Sequence, residues 1–291
     1  MKKNSKGILV LVVFAMLVST FAGCAGAKKS FDASKAITVV SREEGSGTRG
    51  AFIELLKIEV KNADGTKKDY TTSEALIANK TDVMLTQVAG NNYAIGYVSF
   101  GSLNDSVKAI SVDGVLPSTE TIKDKSYKVS RPFIIATNGE ATGLKKDFID
   151  YVLSSQGQKI IYDNKYVKIN DNAAEYKSTN LSGKLVIAGS SSVTPVMEKL
   201  KEGYKILNPN VNVEIQQSDS STGIKAALSN TCDIAMSSRE LKDTEKLTPV
   251  KIALDGIAVI VNKNNPTTNI KADDVMKIYK GELTKWDGLS K

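Results

Sequence analysis

Apolar and polar positions change period repeatedly along this chain. Ile37-Thr38-Val39-Val40 is a compact, mostly β-branched run that reads as a strand. In Val211-Asn212-Val213-Glu214-Ile215 the apolar positions alternate, as a half-exposed strand demands. Comparable runs predict strands over 93–100, 132–136, 185–188 and 257–261. Between them lie helical patterns over 49–57, 145–153, 195–206 and 272–279. The third places Val196, Met197, Leu200 and Tyr204 on one face behind Pro195, which a first helical turn tolerates. Strands alternating with helices predict an α/β protein. Two units share one plan of strand, Gly/Ser loop and helix, one beginning at Ile37 and the other at Leu185. At 291 residues there is room for two lobes, with one unit in each.

The first 24 residues have a different character. Lys2, Lys3 and Lys6 precede an apolar run, then Phe21-Ala22-Gly23-Cys24 sets small residues ahead of a cysteine. This predicts a cleaved export signal over 1–23, because the run is short for a membrane span. Residues 24–36 are small, polar and basic, suited to a tether. Outside the leader the basic excess is mild and its lysine pairs lack interleaved aromatics, so a nucleic-acid partner is not expected. The chain has no histidine, which excludes a Ser-His-Asp or Cys-His centre and a His-ligated metal. Its two cysteines are too few for a disulfide framework, and Cys232 reads as a small buried thiol. Asp273 and Asp274 suit the first turn of a helix better than a metal site. No cofactor is implied.

Four polar loops carry the candidate chemistry: Gly45-Ser46-Gly47-Thr48, Gly189-Ser190-Ser191-Ser192, Ser218 to Gly223, and Ser237-Ser238-Arg239-Glu240. The first three each precede a helical pattern. A helix N-terminus offers unpaired N–H groups and partial positive charge, and Ser or Thr adds a hydroxyl. Each loop alone would be an ordinary cap or turn; together they suit a small oxyanion, with Arg42 as a fork-shaped cation. Neither a G-x-x-x-x-G-K-[ST] loop nor a G-x-S-x-G elbow occurs at these loops, so nucleotide binding and hydrolysis lack their usual parts.

Ser41-Arg42-Glu43-Glu44-Gly45-Ser46-Gly47-Thr48-Arg49-Gly50-Ala51-Phe52 resembles a signature of the phosphate-binding proteins of bacterial ABC transporters. So do Ala188 to Pro195, the run from Gln216 to Glu240, Ala253 to Asn262, and Ile278-Tyr279-Lys280-Gly281 with Trp286. The resemblance implies a two-lobed, periplasmic-binding-protein-like α/β fold of type II with a hinge and a central cleft. It implies one lobe from 37–129 and 256–291, another from 130–255, and hinge strands near 128–132 and 254–258. Phosphate would be held by Arg42, Ser46, Gly47, Thr48, Ser191, Ser192, Ser220 and Ser238, with Glu44 steadying Arg42. No covalent chemistry is expected, so the chain would not be an enzyme. Partners would be inorganic phosphate and the permease and ATPase subunits of an ABC transporter. Cys24 would carry lipid (palmitate among its acyl chains), anchoring the protein to the extracytoplasmic face of the cell membrane.

Two departures from that family stand out. The halves come in rotated order, as in a circular permutation, with truncation or domain swapping as alternatives. Ser238 stands where well-known members have an aspartate that accepts the phosphate proton, which would pass sulfate rejection to Asp219, Glu43 or backbone carbonyls. A receptor for sulfate, molybdate or another oxyanion, or a surface adhesion or signalling protein on the same scaffold, are the alternative functions.

Overall fold

The computed structural model describes residues 30–63 and 65–290. The expected leader and the Cys24 attachment point lie outside the described residues. Residues from Ala33 onward form one compact unit, built on a ten-stranded mixed sheet that divides into two lobes.

One lobe begins with β1 (Thr38–Arg42) and α1 (Gly47–Leu55). A small hairpin of β2 (Glu59–Lys61) and β3 (Lys67–Asp69) follows, then β4 (Leu76–Ala78), α2 (Thr81–Ala89) and β5 (Ala94–Ser99). Strand β1 lies between β4 and β5 and is parallel to both. Next come β6 (Val107–Ala109), β7 (Ser111–Val112) and the short α3 (Thr119–Lys123), opened by a capping box at Ser118. The chain then crosses over on β8 (Ser130–Thr137) to α4 (Gly143–Leu153), α5 (Ser155–Asp163), β9 (Val167–Lys168), β10 (Gly183–Ser190) and α6 (Thr194–Leu207). The second lobe is completed by β11 (Val211–Ser218), α7 (Ser220–Leu228) and β12 (Ile234–Ser237). Strand β10 is central here, parallel to β11 and to β12.

The return crossing is β13 (Thr248–Asn262), far longer than the 257–261 strand the apolar pattern predicts. Its first part pairs antiparallel with β8 as far as Gly256, and from Ile257 it pairs with β5. One strand therefore serves both lobes, and the Ile257 N–H donates to Val129 C=O at 2.7 Å where the crossings run side by side. After β13 the chain finishes the first lobe with β14 (Asn269–Ile270) and α8 (Ala272–Tyr279), whose first turn holds Asp273 and Asp274 as expected.

Each lobe has its own apolar core. In the first, the Phe52 ring stacks on Tyr97 with centroids 3.9 Å apart and meets Tyr279 edge-on at 4.9 Å. In the second, Val196, Met197, Leu200 and Tyr204 of α6 are buried, the face its sequence marks as apolar. They pack with Phe133, Phe148, Ile187 and Val213. Burying side chains of this size is worth about 1.5–3 kcal/mol each, which holds the loops at the strand ends on rigid supports. Cys232 is buried, and burial raises its thiol pKa.

Candidate functional site

The four polar loops meet where the sheet strands end and helices begin. Arg42 is the last residue of β1. Ser46 caps α1, accepting the Arg49 N–H at 3.3 Å, which puts Gly47 and Thr48 in the first turn. Ser190 ends β10, Ser191 and Ser192 lie in the turn before α6, and Ser220 opens α7 behind its cap Asp219. Ser238 follows β12 directly. Gly189 is required in this assembly: its φ is +133°, and a Cβ there would stand 3.1 Å from Met236 N on the adjacent strand.

All eight expected site residues are buried, and their polar groups meet across the two lobes. Arg42 donates from Nη2 to Ser191 Oγ at 3.0 Å. Thr48 Oγ1 and Ser192 Oγ lie 2.8 Å apart, and the Ser221 N–H reaches Gly45 C=O at 3.2 Å. Within the second lobe, Ser190 Oγ donates to Ser238 Oγ at 2.9 Å and the Ser238 N–H donates to Ser220 Oγ at 3.2 Å. Gly47 presses against Ser220 and Ser238 so closely that a Cβ would stand 2.7 Å from Ser238 Oγ.

Arg42 is only 2% exposed and is fixed from several sides. Its Nε and Nη2 donate to the two carboxylate oxygens of Glu43, each at 2.7 Å, and Nε also approaches Ala78 C=O at 3.1 Å. The partner is thus Glu43 and not Glu44, which is exposed. Position 43 is adjacent to the arginine, and its side chain folds back along the guanidinium edge. Beneath, the Arg42 N–H donates to Tyr97 Oη at 3.0 Å, and Ser41 Oγ lies 3.1 Å from the same oxygen. Burial raises the Tyr97 pKa, so the phenol stays neutral.

Three residues join this cluster that the loop motifs do not reveal. Thr81 opens α2 and sets its Oγ1 3.3 Å from Ser191 Oγ and 3.4 Å from Ser192 Oγ. Its signal was available only as a lone threonine at a helix start. Arg131 on β8 donates from Nη1 to Ser238 C=O at 2.8 Å and from Nη2 to Asp255 at 3.2 Å. Asp255 sits opposite Arg131 in the β8–β13 register, and nothing local in the sequence announces that pair.

The arrangement is a cage of hydroxyl and N–H groups at several helix N-termini, with one paired arginine. It can coordinate a compact anion by hydrogen bonds, where partial positive charge and low local dielectric favour negative charge. A groove of about 1230 Å³ reaches the cage at Gly45 and Ser46 and is edged by Arg49, Glu54, Asp69 and Arg239. Its cations are matched by acids: Arg49 pairs with Asp69 and Arg239 with Glu245, both at 2.7 Å.

A two-lobed α/β sheet with a solute-sized polar site where the lobes meet defines a binding protein, and the chain belongs to the PBP superfamily, whose domain matches residues 28–156 and 174–290. Over its full length it is 51% identical to "Phosphate-binding protein PstS 2" of Streptococcus agalactiae, covering 100% of both chains. The crystal structure of a phosphate ABC transporter phosphate-binding protein from Streptococcus pneumoniae superposes with TM-score 0.71 at 46% identity, covering 88% of this chain and 100% of that one. "Phosphate-binding protein PstS" of Bacillus subtilis is 34% identical over 137 residues, 46% of this chain and 42% of that protein.

Proposed function

We propose that the chain captures inorganic phosphate outside the cytoplasm and delivers it to the permease of an ABC transporter, with no covalent step. The observation that carries this reading is the convergence of Arg42, Thr48 and Thr81 from one lobe with Ser191, Ser192, Ser220 and Ser238 from the other on one buried point. The full-length similarity to a phosphate-binding protein supports the choice of anion. Arg42 supplies the cation, held in orientation by Glu43. Ser46, Gly47 and Thr48 offer side-chain or N–H donors, as do Ser191, Ser192, Ser220 and Ser238.

The lobes, 37–129 with 256–291 against 130–255, turn about the adjacent crossings near 128–132 and 254–258. The transfer of β13 from one partner strand to another at Gly256 supports that hinge. An exported form lacking 1–23, tethered over 24–36 by a lipidated Cys24, would keep the receptor at the membrane beside its permease and ATPase subunits. Among the described residues no helix is long and apolar enough to cross a membrane.

A second reading, a receptor for sulfate or another oxyanion, is favoured by the carboxylates near the cage. Glu43 is engaged by Arg42, and Asp219 turns to cap α7, accepting the Thr222 N–H at 2.9 Å. Neither is left to demand a proton from the ligand. Calorimetric titration of the leader-free, anion-stripped protein with phosphate and then sulfate tests both. Tight one-to-one phosphate binding with sulfate silent is the expected result. Binding of both anions favours the broader receptor, and silence toward both rejects capture of phosphate and of sulfate.

A further inference from the structure

Arg131 and Asp255 form a buried ion pair that the anion site does not itself require. They are 4% and 1% exposed. They face each other in register on β8 and β13, at the place where β13 leaves β8 for β5. Asp255 accepts from Arg131 Nη2 at 3.2 Å and Nε at 3.4 Å, and its other oxygen accepts from Ser99 Oγ of β5 at 2.9 Å. The pair is thus strapped to both lobes. Two buried charges gain little net stability over a well-packed apolar pair, so fold maintenance alone is a weak reason for them.

The free arm of the guanidinium suggests another reason. Arg131 Nη1 donates to Ser238 C=O at 2.8 Å. The Ser238 N–H and hydroxyl are engaged by the Ser220 and Ser190 hydroxyls, so the guanidinium is the charged contact on its backbone carbonyl. A planar, charged fork fixes a carbonyl in direction as well as distance, which an ammonium does not.

We propose that Arg131, held by Asp255, is a positioning residue that ties the Ser238 loop to the two crossing strands and so sets where the Ser238 hydroxyl meets the anion. The inference rests on the receptor reading above. It makes the site's geometry depend on the crossings themselves: a change in the angle between β8 and β13 moves the fork, and the fork moves Ser238.

The test is a double-mutant cycle on the full exported chain, with inorganic phosphate as titrant and melting temperature recorded for every variant. R131K keeps a charge opposite Asp255 but loses the second arm. Alone it should weaken phosphate binding about tenfold, the scale of one charged hydrogen bond. In an S238A background the same change should cost less than about threefold, because the group it positions is gone. Equal costs in both backgrounds, or wild-type affinity in R131K, overturn the inference while leaving the receptor reading intact. If R131K fails to fold, R131M/D255N removes both buried charges together and enters the same cycle. Failure of both variants to fold makes the pair a structural strut and overturns the inference. A wild-type protein silent toward phosphate overturns the receptor reading and the inference with it.

Discussion

Gly47 is where a single added carbon should separate binding from folding. It opens α1 with a backbone conformation that alanine adopts freely, since its φ is not positive. Within its own lobe, Gly47→Ala costs nothing sterically, and a helix gains up to about 1 kcal/mol from such a change, less in a first turn. Across the cleft the outcome reverses. The new methyl would stand 2.7 Å from Ser238 Oγ and closer still to Ser220 Oγ, where comfortable contact needs about 3.5 Å. Ser220 and Ser238 are 0% and 1% exposed and held by one another, so neither can swing away. Overpacking of this kind costs about 1–3 kcal/mol, and it is felt only when the lobes close. G47A should therefore bind phosphate about 5- to 150-fold more weakly, while its urea midpoint is unchanged or slightly raised. Calorimetry with phosphate and a urea melt on the same sample read the two quantities. Wild-type affinity in G47A would refute the reasoning, because it would mean that Gly47 and Ser220 do not approach in the binding-competent state.

R42K should weaken phosphate binding by about 10- to 100-fold, since one ammonium replaces a fork whose charged hydrogen bonds are each worth about 1.5–3 kcal/mol; titration calorimetry reads it directly. Y97F keeps the ring stack on Phe52 but leaves the buried Arg42 N–H unpaired. It should lower unfolding stability by about 1–3 kcal/mol in urea. Burial lifts the Asp255 carboxyl from an ordinary 3.8 to about 6, so the folded protein holds that proton more tightly than the unfolded chain. Its contribution to stability therefore declines as pH rises from about 4 to about 6. Melting profiles of wild type and D255N should differ in slope across that window, and parallel profiles would contradict the burial argument.

The sequence carried a large part of this molecule in its local patterns. The alternation at Val211–Ile215, the apolar face of α6 and the acidic first turn of α8 each depend on neighbours in the chain, and each is found where the pattern puts it. The Gly/Ser loops were legible for the same reason. A hydroxyl or glycine at a helix start does its work within three or four residues, whatever surrounds it. Seven residues of these loops, with Arg42 at the end of β1, were named together through the family resemblance that the loop strings carry.

Long-range geometry was not legible. The first half of β13 contains Pro249 and Lys251 and shifts register after Lys251, so it lacks the period of a buried strand. It becomes one because β8 lies alongside. Glu43 rather than Glu44 clamps Arg42 because side-chain direction at the end of β1 decides which acid folds back, and two adjacent glutamates look alike in a string of letters. Thr81 enters the cage 33 residues after Thr48, with no motif of its own, because α2 starts beside the Ser191–Ser192 turn. The Arg131–Asp255 pair spans 124 residues, and only the register of two crossing strands brings it together. Local chemistry was written in the order of residues; which local pieces face one another was decided by sheet pairing, where long-range contacts form.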